Sequence, residues 1–484
     1  MVKKQGAGVP TCPCESGYLR DVVEQAIAQL REALRGTDYE GKVYLVGGYV
    51  RDKLLNRPLP NDLDIVLEGD ALALARWLYE HGVAEHAPVV YARFGTAMVK
   101  VAGVPIELVT ARAESYRAES RKPVQVKPAT LYEDALRRDF TINTLLENLH
   151  TGEIRDPLGM ALPDLQARLI RTPREPKATF HEDPLRMLRA IRFAVQLNFT
   201  IEPATYHAIC TEAHRLQIIS KERIRDEFTR ILEQPSAAHG LQMLLETGLL
   251  KEFAQPLMPM VGCTQNRYHL YDVWTHSLKA VESLPECPSD ALPVWELRLA
   301  TLLHDVGKPA TRTIDEQGEV HFYGHAQVGA EIAEKWLREL KYPTATIERV
   351  CKLIRLHMRP GEYSPIWSDA AVRRLMRDAG ELLEPLLCMV EADIRAQRAD
   401  MPRADLNALR VRIERIRAQE DTQRWQSPLS GKELMQLLGL KPGPLIGRLK
   451  DALTEQVLEG KLAPDDKQHA LQLAQQLLAE WQNR

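Results

Sequence analysis

The stretch 43–69, VYLVGGYVRDKLLNRPLPNDLDIVLEG, constrains the fold of this chain more than any other. It opens on a short apolar run from Val43 to Val46, closed by a glycine pair, which is the pattern of a buried strand. After Gly47 and Gly48, residues Val50, Arg51 and Asp52 lead into Lys53, Leu54 and Leu55, which read as a first helical turn. A strand, two glycines and a helix start bring backbone N–H groups together where a phosphate can sit, and Arg51 adds charge. Pro58 and Pro60 break the chain before a second strand expected over 62–67. Residues two apart on a strand share a face, so Asp62 and Asp64 project together while Leu63 and Ile65 face the other way. Two carboxylates beside a phosphate cradle make a site for Mg²⁺ carrying a nucleoside triphosphate.

Glycine pairs and DxD are each common, but in this order and spacing they resemble the signature of the DNA polymerase β-like nucleotidyltransferases. More narrowly, they are similar to those of the class II tRNA nucleotidyltransferases (CCA-adding enzymes) and the bacterial poly(A) polymerases. Later segments follow the same family order. Residues 133–145, EDALRRDFTINTL, read as a helix whose charged residues would ordinarily form a solvated face. They match the family's RRDxTIN motif, and the resemblance implies that Arg138, Asp139 and Asn143 contact the incoming nucleotide. Asp156, Gly159, Asp164 and Leu165 resemble a DPxGGxxDL turn in which Met160 replaces one glycine. Glu107, on a strand over 106–109, is a candidate third metal-proximal carboxylate, since the resembled fold often supplies one there. The charged, proline-broken run 112–130 reads as a mobile loop of the kind that closes over nucleotide sites.

Residues 181–199, HEDPLRMLRAIRFAVQLNF, read as a helix with Pro184 in its first turn. Arg186, Arg189 and Arg192 recur every third residue and form a slanting ridge, while Leu188, Ile191 and Val195 stay in the core. Partly buried arginines need anions, and no acidic run nearby supplies them all. The segment resembles the family's EDxxR template, which implies that Asp183 and Arg186 pair with the base edge and select ATP and CTP. The chemistry suits the role, because Arg presents a planar fork of donors and Asp only acceptors. Residues 219–228, ISKERIRDEF, complete the motif set as a helix capped by Ser220.

Between 255 and 293 prolines accumulate and the pattern loosens, as at a domain junction. His276, His304, Asp305, His325, His357 and Asp393 then follow in the order H…HD…H…H…D. A lone histidine on an apolar helix is usually a satisfied core residue, whereas this series resembles the ligand set of the HD-domain phosphohydrolases. It implies an all-helical domain binding one or two divalent metals, with Gly307 and Lys308 completing HDxGK. Imidazole and carboxylate suit Mn²⁺, Ni²⁺, Fe²⁺ or Mg²⁺, and the lack of thiolates argues against structural zinc. Arg410, Arg412, Arg415 and Arg417 alternate with acids, the pattern of a salt-bridged solvated helix. The segment 430–460 has an LxLKPGPxIG pattern similar to that of bacterial CCA-adding enzymes with HD domains, and suits a helix-turn-helix that grips a nucleic-acid backbone.

The expected fold is α+β, mostly α: a small-sheet polymerase-β-like nucleotidyltransferase head followed by helical neck, body, HD and tail domains. The divisions are an N-terminal extension and helix (1–35), the head (36–160), a neck and body carrying the base-selecting helix (161–255), the HD domain (256–400) and a tRNA-binding tail (401–484). The net charge of −3 and pI near 6.6 confine any RNA surface to a local basic patch. No signal-like apolar segment opens the chain and no run approaches membrane-spanning length. Seven cysteines without framework spacing suit a reducing cytoplasm. The implied activity is Mg²⁺-dependent addition of CMP, CMP and AMP to the tRNA 3′ end, from CTP and ATP, with an HD phosphohydrolase as a second activity. Gly47, Gly48, Arg51 and Arg138 hold the triphosphate, and Arg189 and Arg192 join the nucleotide-binding set. No membrane and no obligate protein partner are expected. Addition of A alone or CC alone is the alternative, and the LEGDA and RFGTA segments look most like A-adding members. Poly(A) polymerase is a further variant, and an HD phosphohydrolase with a merely nucleotide-binding head is the alternative of another class.

Overall fold

The computed structural model describes residues 13–482, apart from 118–119, 267–268, 398, 401 and 420–424. An irregular lead-in is expected over residues 1–14; residues 1–12 lie outside the described residues, and Pro13 and Cys14 already belong to a helix. The chain divides into two compact units, Met1–Gln255 and Pro256–Arg484. As expected, it is mostly helical with a small mixed sheet.

The first unit begins with helix α1 (Pro13–Leu34), whose buried face includes Ala26, Leu30 and Leu34. Strand β1 (Val43–Val46) is wholly buried because it lies between two neighbours, so its apolar run needs no polar face. Helix α2 (Gly48–Leu54) starts directly after Gly47, several residues before the expected turn at Lys53. Gly47 has φ 76°, and a Cβ there would lie 3.1 Å from Asp64 Oδ2, so both conformation and space call for glycine. Strand β2 (Leu63–Leu67), helix α3 (Ala71–Glu80) and strands β3 (Val89–Tyr91), β4 (Thr96–Val101) and β5 (Val104–Thr110) follow. Asp62 falls just ahead of β2 rather than within it.

The run 112–130 is not the loop its charge suggested. It forms strands β6 (Arg112–Arg117) and β7 (Ser120–Pro128), an antiparallel hairpin pairing Arg112 with Pro128. Main-chain pairing is indifferent to side-chain charge, and a two-stranded ribbon has two open edges, where a proline costs no ladder bond. Helix α4 (Leu131–Leu136) is closed by a Thr130–Glu133 capping box and ends before the arginines. The helix expected through residue 145 therefore stops short. Asp139 accepts the Phe140 N–H at 2.7 Å, and the Thr141 N–H turns to Arg171 O at 2.8 Å, which removes the donors a continuing helix needs. Residues Thr141–Asn143 make a 3₁₀ turn instead.

Strands β8 (Leu146–Asn148) and β9 (Ile154–Arg155) complete a seven-stranded sheet of order β3-β4-β5-β2-β1-β8-β9. Only β2 and β5 run parallel in it, with Asp64 opposite Glu107. Beyond it come α5 (Ala161–Ala167), β10 (Leu169–Ile170), α6 (Pro176–Glu182), α7 (Leu185–Leu197), β11 (Thr200–Ile201), α8 (Pro203–Glu212), α9 (Lys221–Leu232), α10 (Ala237–Glu246) and α11 (Leu249–Phe253). Ser220 occupies the N-cap of α9, but its side chain makes no capping hydrogen bond there.

The second unit is helical. Helix α12 (Val273–Glu282) forms inside the stretch expected as a loose junction, with Trp274 and His276 buried. Next are α13 (Val294–Leu303), α14 (Lys308–Thr311), a ribbon of β12 (Thr313–Ile314) and β13 (Val320–His321), α15 (His325–Glu339), α16 (Thr344–Leu356), α17 (Met358–Gly361), α18 (Asp369–Ala379) and α19 (Leu383–Ala396). Helix α20 (Leu406–Gln419) buries Leu409, Ile413 and Ile416, while its arginines pair with acids on α18 and α19: Arg410 with Glu384 and Glu391, Arg412 and Arg415 with Asp369. The sequence read a salt-bridged face with acids interleaved along the helix; Arg417 pairs with one of these, Glu414, while Arg410, Arg412 and Arg415 find theirs on neighbouring helices. Helices α21 (Gly431–Leu438), α22 (Pro444–Leu458) and α23 (Lys467–Gln482) surround a core of Leu434, Leu449 and Leu453. No helix among the described residues is long and apolar enough to cross a membrane.

Candidate functional site

In the first unit, a cleft of about 590 Å³ is lined from five parts of the chain: the glycine pair and the start of α2, the Asp62–Asp64 strand entry, the Arg137–Asn143 turn, Asp183 with helix α7, and helix α9. Its lining carries eight arginines against five aspartates, so it favours a polyanion. Asp62 is exposed and Asp64 half-buried, and both line the cleft. Glu107, opposite Asp64 in the sheet, is not part of that lining. Burial, with Glu107 and Asp62 adding repulsion against the pull of Arg138, raises the Asp64 carboxyl to about 6. Acids held together at such a cost suit a divalent cation, and two carboxylates suffice for Mg²⁺ that keeps waters and binds phosphate. Among the described residues, Asp62, Asp64 and Glu107 do not gather as three donors within 4.8 Å.

Arg51 is buried and gripped: its Nε and Nη2 donate to Asp52 at 2.8 and 2.9 Å, and its Nη1 to Asn143 Oδ1 at 2.8 Å. Asn143 Nδ2 donates to Asp139 Oδ1 at 3.0 Å, and Arg189 Nε and Nη2 donate to Asp139 Oδ2 at 2.9 and 2.6 Å. Burial alone would raise the Asp139 carboxyl, but Arg189 and Asn143 outweigh it and hold it far below the ordinary range. Arg137 and Arg138 both pair with buried Asp134. On α7, Arg186 donates to Arg137 O at 2.7 Å and pairs with Glu182 at 3.3 Å. Arg192 pairs with Glu227 of α9 at 2.9 Å, and Arg189 lies 3.6 Å from the same carboxylate. The arginine ridge thus has its anions, contrary to the expectation from nearby sequence, because the fold brings Asp139 and Glu227 from other segments. Asp183 closes α6, accepts the Leu185 N–H at 3.2 Å and lines the cleft with Arg186. Sequence reasoning passed over Glu227 and Phe193. Glu227 lay inside the ISKERIRDEF segment, where its i,i+3 spacing from Ile224 put it on the inward face, and that was the available signal.

In the second unit, all six predicted ligands come together. His276, His304 and Asp393 form one group of donors within 4.8 Å, and Asp305, His325 and His357 another. Asp305 joins them: its Oδ2 lies 3.2 Å from His304 Nε2 and its Oδ1 3.3 Å from His325 Nε2. His304, His325 and His357 each place Nδ1 2.6–2.8 Å from the carbonyl three residues earlier. A carbonyl only accepts, so Nδ1 carries a proton and Nε2 faces the centre, the arrangement that orients a metal-ligating histidine. His304 Nε2 is buried without a hydrogen-bond partner, which also fits a cation. Burial lowers the His304 imidazole, but Asp305 and Asp393 outweigh it and lift it to about 10; burial and His304 press His357 down to about 4. Lys308 Nζ reaches Asp305 at 2.7 Å, and Asp305, Lys308, His325, His357 and Asp393 line a cavity of about 310 Å³.

Three known families match the chain in succession: "Poly A polymerase head domain" over 43–171, "Probable RNA and SrmB- binding site of polymerase A" over 198–259, and "HD domain" over 267–398. The A-adding tRNA nucleotidyltransferase of Deinococcus radiodurans is 37% identical over 381 residues, 76% of this chain and 85% of that protein. The CC-adding tRNA nucleotidyltransferase of Thermus thermophilus is 35% identical over 88% of this chain and 92% of its own length. A CCA-adding enzyme of Geobacillus is 40% identical over 45% of this chain and 52% of its own. Among solved structures, the Bacillus stearothermophilus CCA-adding enzyme in complex with CTP superposes with a TM-score of 0.66 over 96% of this chain and 99% of that one, at 24% identity, a likeness of fold.

Proposed function

The chain belongs to the tRNA nucleotidyltransferase family, and from that premise we propose that its head builds CCA on the tRNA 3′ end from CTP and ATP. The observation that carries this reading is the single cleft in which Asp62 and Asp64 face an arginine-rich wall that also presents Asp183 and Arg186. In the reaction the primer's 3′ oxygen bonds to the α-phosphorus, the bond to the β-phosphate oxygen breaks, and pyrophosphate leaves. Asp62 and Asp64 would hold Mg²⁺, which would supply activation of the 3′-OH and neutralisation of the triphosphate. The glycine pair lets the backbone approach phosphate closely, and Arg51 and Arg138 hold the triphosphate from either side. Asp139 and Asn143 keep Arg51 and Arg189 in register through the hydrogen bonds between them. Asp183 and Arg186 read the base edge, one as acceptor and the other as donor. Glu107, away from the lining, acts on Asp64 through charge.

A second reading is addition of only part of CCA. It is favoured because the A-adding and CC-adding relatives match over most of the chain, whereas the Geobacillus CCA-adding relative matches over less than half. Incubation with tRNA lacking CCA and with tRNA ending in CC, supplied with CTP and ATP singly and together, separates the two. Full CCA on the first substrate supports the first reading, AMP on the second alone supports A addition, and transfer to neither overturns both. The histidine site of the second unit would hold Mn²⁺, Ni²⁺, Fe²⁺ or Mg²⁺ and act as a phosphohydrolase, with Lys308 steadying the phosphate. The tail would grip tRNA backbone, and free thiols at Cys210, Cys263 and Cys287 suit a cytoplasmic setting.

A further inference from the structure

Phe193 is 4% exposed on α7 and borders the cleft. The guanidinium carbons of Arg192, Arg51 and Arg189 lie 4.3, 5.0 and 5.3 Å from its ring centroid. Phe140 meets it edge-on at 5.9 Å with 85° between the rings, which fixes its tilt. One aromatic ring is therefore the common neighbour of three cations from two elements, α2 and α7. Three guanidiniums this close repel one another, and acids answer them: Arg51 and Arg189 through N–H bonds to Asp52 and Asp139, Arg192 through an ion pair with Glu227. A further carboxylate would neutralise the cleft and occupy donors that a triphosphate needs. The ring face attracts a cation within about 6 Å while taking up no N–H. The hydrogen bonds from Arg189 to Asp139, from Asn143 to Asp139 and from Arg51 to Asn143 join two of the same arginines by a second route.

We propose that Phe193 is a positioning residue for the incoming nucleotide: it holds Arg51, Arg189 and Arg192 in one preset arrangement, so that the triphosphate meets donors already in place. The inference rests on the head being the nucleotidyltransferase site. Preset donors reduce the ordering that binding requires, so the effect belongs in nucleotide affinity rather than in the chemical step.

The test is steady-state single-nucleotide addition by the full chain on one tRNA primer, with Phe193→Leu, which keeps an apolar side chain without a ring, and Phe193→Tyr, which keeps the ring. Phe193→Leu is expected to raise the KM for the nucleotide about tenfold while kcat falls less than about threefold and the KM for tRNA stays put. Phe193→Tyr is expected to restore a nucleotide KM within about twofold of the natural chain. An unchanged nucleotide KM in Phe193→Leu, or equal impairment in the leucine and tyrosine variants, overturns the inference. If the leucine variant does not fold, Phe193→Met makes the same comparison with an unbranched side chain. Absence of transfer by the natural chain with every triphosphate would instead overturn the reading of the head itself.

Discussion

Glu227 answers three cleft arginines from one buried carboxylate, with Arg192 at 2.9 Å, Arg189 at 3.6 Å and Arg230 at 4.0 Å. Burial pulls the Arg192 guanidinium down to about 10, which still leaves it charged at neutral pH. Glu227→Ala would strand that buried cation, at a cost of about 3–5 kcal/mol, and Glu227→Gln, which keeps the shape, should cost less. Urea unfolding of the full chain checks this, and an unchanged first transition in Glu227→Ala would show that the pair contributes nothing. Asp139 makes a separate prediction. Its carboxyl is depressed in the folded chain, so the stability it contributes is present above its unfolded pKa of about 4 and is lost as pH falls through the lower folded value. The stability gap between the natural chain and Asp139→Asn should be flat above about pH 5 and shrink in stronger acid. A gap that grows on acidification would contradict that sign.

At the scale of elements, what could be read from the sequence was what neighbouring residues decide. The apolar run before the glycines gave β1, and the DxD segment gave β2, although Asp62 falls just ahead of that strand. The HD series was legible because six chemically rare side chains appear in family order. Partnership across the fold was not legible: Arg189 and Asp139 are fifty positions apart, and local spacing says nothing of such a pair. The 112–128 hairpin was hidden because charge describes side chains while strands are made by the main chain. The turn after α4 was hidden because Asp139 bends the backbone by capturing the next N–H. Gly307 shows a further constraint, on space rather than on φ. A Cβ there would lie 2.2 Å from His325 O and 2.5 Å from Gly329 N, so α14 and α15 meet backbone to backbone. Gly307→Ala should push α15 outward, destabilise the second unit by about 1–3 kcal/mol and displace His325 from Asp305. Calorimetric titration with Mn²⁺ should then show at least tenfold weaker binding to the histidine site, and unchanged binding would mean that the helices can slide without moving the ligands.

For the whole molecule, the two sites lie in separate compact units, each with its own core and its own charges. His304→Ala combined with Asp305→Ala should abolish any phosphohydrolase activity and leave nucleotide addition within about twofold, because both side chains belong to the cluster of the second unit. Loss of addition in a folded double variant would mean that the units are coupled. The central claim is that one cleft both performs the transfer and chooses the base through its own side chains. It is tested most directly by incorporation of each of the four triphosphates on one tRNA primer, comparing the natural chain with Asp183→Ala, Arg186→Ala and Asp62→Ala. Charge-assisted bonds of about 1.5–3 kcal/mol each support discrimination of roughly a hundredfold, so the first two variants should relax selection against UTP and GTP more than they slow transfer. Asp62→Ala should abolish transfer while tRNA still binds. If Asp183→Ala and Arg186→Ala keep full selectivity and lose only rate, or Asp62→Ala stays active with Mg²⁺ as the sole metal, the account of the cleft is contradicted.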